Sequence, residues 1–202
     1  MPAQQTRLPT EERQVEIVAA ALRLAQTSSP ALITTGDIAA AVGISQGAVF
    51  KHFATKDAIW LAALRWVHGQ LLDTLQAAAD TNPDPLAGLQ AVFDAHVAFV
   101  VAHPGVPRLL FHELQQPTAS AAKLEVLALL QDYRQLLMGL LQAAVRQRQV
   151  APDLDHEAAA TLFVGIVQGL VMQAMVSGQP AALRAQSGRV FALYLRSLGG
   201  AS

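Results

Sequence analysis

With 202 residues, the chain can bury a full core as one domain or as two small ones. Hydrophobic residues make up 52%, many of them Ala and Leu, and no β-branched alternation or Asn-Gly hairpin signal is sustained, so an all-α fold is predicted. Cysteine is absent, which excludes disulfides, thiolate metal sites and a cysteine nucleophile, and a net charge of −1 excludes wholesale electrostatic attraction to nucleic acid.

The first fourteen residues, MPAQQTRLPTEERQ, are polar and carry no apolar core, so no secretory signal is expected and the cytoplasm is the default location. Thr10 opens the first predicted helix, with Glu11 and Glu12 favourable in its first turn and Ile17, Ala21 and Leu24 repeating at helical spacing. Ser28-Ser29-Pro30 stops it. Thr34-x-x-Asp37 then reads as a capping box: a hydroxyl accepts a backbone N–H and an acid three residues on reaches back. Ile38, Ala39 and Val42 give the buried face of a short helix that Gly43 ends in a left-handed conformation. Ser45 caps a second short helix, expected to run to about His52, with Val49 and Phe53 inward, and Ile44 belongs to the same core. Thr55 caps a third. Helix, glycine turn, helix is the geometry that seats a second helix in the DNA major groove.

Within this segment the residue types suggest their roles. Gln46 is the best base reader, since its amide can pair with adenine in two places, and Gly47 permits close backbone approach to the groove. Lys51, His52 and Lys56 are expected phosphate contacts. Thr34 and Thr35 sit at a helix N-terminus that can hold another phosphate. Bland readings stand beside these: Thr34 as a cap alone, Gln46 as a solvated side chain. Through Lys56, the basic residues Arg7, Arg13, Arg23, Lys51 and Lys56 exceed Glu11, Glu12, Glu16 and Asp37 by one, and the remainder carries −2. Phosphate attraction must therefore come from placement rather than bulk charge.

The ordered set Thr34-Thr35-x-Asp37-Ile38-Ala39, Val42-Gly43-Ile44-Ser45-x-Gly47, Phe50-Lys51-His52-Phe53 and Thr55-Lys56-Asp57 resembles the N-terminal domain of the TetR family of bacterial transcriptional repressors. The resemblance covers roughly the first third of the chain. One position departs from it: Phe50 stands where the family usually has tyrosine, so the hydroxyl contact to the DNA backbone is absent and only apolar contact remains. The resemblance implies a helix-turn-helix DNA-binding domain over residues 1–56 and a helical effector-binding and dimerisation domain over 57–202. It also implies about nine helices, a homodimer on a pseudo-palindromic operator, and release by a small effector held among the C-terminal helices.

Further along, one long helix is predicted from Thr55 to about Asp80, broken by Thr81-Asn82-Pro83-Asp84-Pro85. Helices follow from about Leu86 to Ala102, through about Gln115 after His103-Pro104-Gly105, and, past a loop from Pro117 to Ser120, on to about Gln149. After Ala151-Pro152-Asp153 a strongly apolar helix spans Asp155 to Val176, and a last one ends near Leu198. The run from Ala158 to Val176 approaches the length of a membrane span, yet Thr161, Gln168 and Gln173 interrupt it, no basic flank borders it and no second candidate accompanies it, so no membrane association is expected. Thr161, Gly165, Gly169 and Gln173 form a flat stripe that admits another helix, within the monomer or across a dimer. The resemblance favours the dimer, formed through the last two helices, with Leu183, Val190, Leu193, Tyr194 and Leu198 as the seam of the final one.

His96 shares a helical face with Leu89, Phe93 and Val100, either as a satisfied core histidine or as a polar anchor in an effector pocket. His112, with Glu113 beside it, is placed in the same candidate cavity, and Trp66, Phe93, Phe111, Met138, Phe163 and Met172 are either core or its apolar lining, suited to an aromatic or lipid-like effector. No paired-histidine spacing points to a metal, no cofactor motif appears, and no nucleophile elbow or Walker loop supports an enzyme. The rival expectation is a helical interaction module whose helix-turn-helix meets protein instead of DNA.

Overall fold

A computed structural model of the chain describes residues 9–178 and 180–199. Among these residues there are nine helices and no strand: α1 Thr10–Leu24, α2 Thr35–Val42, α3 Gln46–Phe50, α4 Lys56–Asp80, α5 Pro85–Ala102, α6 Gly105–Leu114, α7 Ala121–Arg146, α8 His156–Ser177 and α9 Pro180–Ser197. The all-α expectation and the helix count hold. Helix α3 is shorter than its sequence suggests, because Lys51 already serves as its C-cap.

Local chemistry sets these boundaries. Thr34 and Asp37 form both halves of the predicted capping box: Thr34 Oγ1 accepts from Asp37 N at 3.1 Å, and Asp37 Oδ2 accepts from Thr34 N at 2.8 Å. The Thr34 hydroxyl, which also donates to Asp37 Oδ2 at 2.7 Å, and after it the Thr34 N–H hold the Asp37 carboxyl below its usual pKa. Gly43 takes φ 76° as the α2 cap. The hydroxyls of Ser45 and Thr55 accept from Ala48 N and Ala58 N at 3.2 and 3.1 Å. Asp84, with Pro85 following it, and Asp155 cap α5 and α8 in the same way. Two residues past the end of α7, Arg148 adopts φ 57° where glycine is usual.

The chain divides into two compact units. The first comprises the chain up to Val67 together with Gly105–Val126. Its core gathers Ile17, Ala20, Ala21, Ile38, Val49, Ile59 and Leu109. Helix α6 meets α1 at Gly105, where any Cβ would collide with the Leu22 carbonyl oxygen and crowd Gln26 N at 3.2 Å. Only a glycine allows this approach.

The second unit comprises His68–Pro104 and the chain from Leu127 onward. Helices α5, α8 and α9 pack together around an aromatic cluster. Phe93 and Phe163 meet edge to face with centroids 5.6 Å apart, and Phe191, Tyr194 and Tyr133 extend the cluster. Such pairs add about 0.5–1.5 kcal/mol each beyond area burial. A correction to the sequence reading arises here. Helix α5 is also long and apolar enough to span a membrane, so α8 is not the lone candidate. In the fold, α5 turns Leu89, Val92 and Phe93 into the core of its unit with no exposed surface.

Candidate nucleic-acid interface and effector residues

Of the five residues of α3, only Val49 is buried. Gln46, Gly47 and Phe50 are exposed, as is Lys51 just after them, and Phe50 shows 46% of its surface to solvent. An apolar ring on so short a helix thus leaves nearly half of its surface to solvent. Gly47 is unexplained by internal packing, since a Cβ there would find only Ser45 Oγ, at 4.0 Å. In a helix, glycine costs about 0.5–1 kcal/mol relative to alanine.

Gln46 is not simply solvated. Its Nε2 donates to Thr35 Oγ1 at 2.7 Å, which ties the start of α3 to the start of α2 and pre-orients the amide. Thr35 is correspondingly buried, so its hydroxyl is engaged inside the motif. Thr34 and Ser45 spend their hydroxyls as caps. Helix α2 begins at Thr35, so the first N–H groups, those of Thr35 and Gly36, precede the bonds that the cap satisfies. His52 is partly buried, its carbonyl accepts from Gln14 Nε2 at 3.1 Å, and its Nδ1 is enclosed without a hydrogen-bond partner.

Lys56 departs most from expectation. Its ammonium is turned into the unit and donates to the carbonyls of Ile33 and Ala31 at 3.1 Å each and of Pro30 at 3.5 Å. A lysine ammonium has three N–H donors, and three backbone acceptors face it here.

The candidate effector residues fall in both units. Trp66, Phe111 and His112 belong to the first and are partly buried. Phe93, His96, Met138, Phe163 and Met172 belong to the second. Phe93 and Phe163 are brought together, but against each other at the centre of the aromatic cluster. Met172 is not among them: it lies on the outer face of α8 with 44% of its surface exposed. His96 Nδ1 lies 3.0 Å from Tyr133 Oη, a partner that sequence reasoning missed because it lies 37 residues away. Burial lowers the His96 pKa to about 4, and burial first, then Tyr194, raises that of Tyr133, so a neutral imidazole shares this hydrogen bond with a protonated phenol.

The stripe Thr161, Gly165, Gly169 and Gln173 is exposed along α8, and added Cβ atoms at the two glycines would meet nothing within 4 Å. Leu162, Met172 and Val176 are exposed around it. On α9, Leu193 is 59% exposed and Val190 partly so, and both line an open groove of about 570 Å³ with Gln186, Arg189, Ala192 and Arg196. Tyr194 is a correction. It is buried within its own unit, donates to the Ala159 carbonyl at 3.2 Å and packs on Phe163, so it is core and not part of an outer seam. Leu183 and Leu198 are buried in the same way.

Comparison with known proteins places these features. The chain is 23% identical over 161 residues to the nucleoid occlusion factor SlmA of Shewanella amazonensis, which covers 80% of this chain and 82% of that protein. The fold matches the fatty acid degradation regulator FadR of Bacillus halodurans with a TM-score of 0.83 at 19% identity, covering 98% of this chain and all of that one. It also matches the transcriptional regulator FadR of Bacillus subtilis, solved in complex with stearoyl-CoA, with a TM-score of 0.79 at 19% identity over 90% and 97% of the two chains. Residues 17–63 match the bacterial regulatory proteins of the tetR family, and residues 116–187 match the tetracyclin repressor-like C-terminal domain. With both its head and its body accounted for in this way, the chain belongs to the TetR family of transcriptional regulators.

Proposed function

We propose that the protein is a ligand-responsive transcriptional repressor that binds a pseudo-palindromic operator as a homodimer and is released by a small hydrophobic effector. Residues 1–56 form its DNA-binding domain and 57–202 its effector-binding and dimerisation domain. The observation that carries this reading is α3, which turns Gln46, Gly47, Phe50 and Lys51 outward while a single residue anchors it. Gln46 reads a base edge, Phe50 makes apolar contact with a sugar or thymine methyl, and Lys51 and His52 meet phosphates beside the N-terminus of α2. The exposed small-residue face of α8 and the Val190–Leu193 face of α9 suit a second copy of the chain. Two heads then address two half-sites about one helical turn apart.

The effector is released-state ligand in this scheme: it binds the head spacing that does not match DNA and lowers occupancy by its differential affinity. The stearoyl-CoA held by B. subtilis FadR supports a long-chain acyl effector. The test is enrichment of duplexes from a random library by the purified protein, followed by titration with stearoyl-CoA. Gln46→Ala relaxes base preference at one position per half-site while Lys51→Ala weakens all duplexes alike. Failure to enrich any duplex would leave the interaction-module reading in its place, and enriched DNA that stearoyl-CoA never releases would remove the acyl effector.

A further inference from the structure

We propose that Lys56 is a positioning residue for DNA recognition, holding the entrance of α2 in place through the backbone and making no phosphate contact of its own. The inference rests on the DNA-binding reading above. The three carbonyls it engages belong to one short segment, Pro30, Ala31 and Ile33, which carries the chain from α1 to α2. Ile33 directly precedes Thr34, the cap of α2. Thr35, one residue further, accepts the Gln46 amide at 2.7 Å. The path from the Lys56 ammonium to the base-reading amide therefore runs through three consecutive residues, Ile33, Thr34 and Thr35, each fixed by a named hydrogen bond.

The arrangement also satisfies backbone acceptors that a loop cannot pair within itself. Leu32 and Ile33 both donate to Ser29 O, which curls the segment so that the Pro30, Ala31 and Ile33 carbonyls converge on one point. A compact cation with three rotatable donors suits that point better than a planar guanidinium. An ammonium committed to three carbonyls would have to abandon them to meet a phosphate. Pro30 and Ile33 are buried while Ala31 and Leu32 between them are exposed, Leu32 at 77%, so apolar packing holds the two ends of the segment and the lysine gathers its carbonyls.

The experiment compares Lys56→Met, Lys56→Gln and Lys51→Met in the full chain, using a duplex enriched by the wild-type protein. Two quantities are read: the melting temperature without DNA and the slope of log affinity against log salt. The expected result for Lys56→Met is a melting temperature lowered by about 4–8 °C, at least tenfold weaker binding and a salt slope near the wild-type value. Lys56→Gln, neutral but still a donor, recovers part of both losses. Lys51→Met leaves the melting temperature unchanged and reduces the slope by about 2 per dimer, from about 0.9 per lost phosphate contact. The proposal is overturned if Lys56→Met melts like the wild type while its slope falls by about 2, or if Lys56→Gln binds no better than Lys56→Met. Should Lys56→Met fail to fold, Lys56→Gln supplies both readouts. If the wild type enriches no duplex, the DNA-binding reading fails by itself, and an unchanged melting temperature in both Lys56 variants would separately remove the anchor.

Discussion

Protonation of His96 should set the acid limit of this fold. The imidazole is held neutral, with a pKa lowered to about 4 by burial, against a value of 6.5 in an unfolded chain. The unfolded chain therefore takes up its proton first as pH falls. The stabilising contribution is complete above about pH 6.5, declines between 6.5 and 4, and changes no further below that. The full interval corresponds to about 3 kcal/mol, and moving from pH 8 to pH 5 removes about 2 kcal/mol of it. Urea unfolding at fixed temperature reads this as a midpoint shift at constant slope. His96→Asn keeps a hydrogen-bonding group near the place of Nδ1, 3.0 Å from Tyr133 Oη, and cannot titrate. The wild type should lose about 2 kcal/mol more than His96→Asn between the two pH values. Equal losses in the two proteins would refute the reasoning, because the proton would then be entering elsewhere.

Gly47→Ala should stabilise the DNA-free protein by about 0.5–1 kcal/mol in urea unfolding, since the new methyl meets only Ser45 Oγ at 4.0 Å, yet weaken duplex binding. Unchanged binding would mean that the backbone at this position does not approach DNA. Gly105→Ala drives a Cβ into the Leu22 carbonyl and should cost about 1–3 kcal/mol, read as a lower urea midpoint; an unshifted midpoint would show that α1 and α6 do not touch there. Arg148→Gly relieves a left-handed backbone at φ 57° and should raise stability by about 1 kcal/mol in calorimetry, with a loss of stability counting against that conformation.

Much of the head was legible because its signals are local. Thr34 and Asp37, Gly43, Ser45 and Thr55 each act over a span of about three residues, so residue type and spacing reveal the bond. The carbonyl partners of Lys56 were not legible because they lie 23 to 26 residues upstream and are backbone atoms, which carry no sequence signature. The same holds for Gln46 with Thr35, eleven residues apart, and Tyr194 with Ala159, thirty-five apart. Helix α8 shows a further limit. It is apolar almost all round, so periodicity could not say that Phe163 faces inward and Met172 outward.

The shallow seat of α3 also bears on how this protein can change. Val49 alone ties that helix to the hydrophobic interior, and its start is pinned by Ser45 and by the Gln46–Thr35 bond. Positions 47, 50 and 51 therefore bear only lightly on folding stability. Substitutions there can wander through sequence space under selection on target choice alone, with few compensating changes demanded from the core. A gene duplicate could acquire a new regulon by a handful of such steps, and a designer could randomise the same three sites in a library with most members still folded.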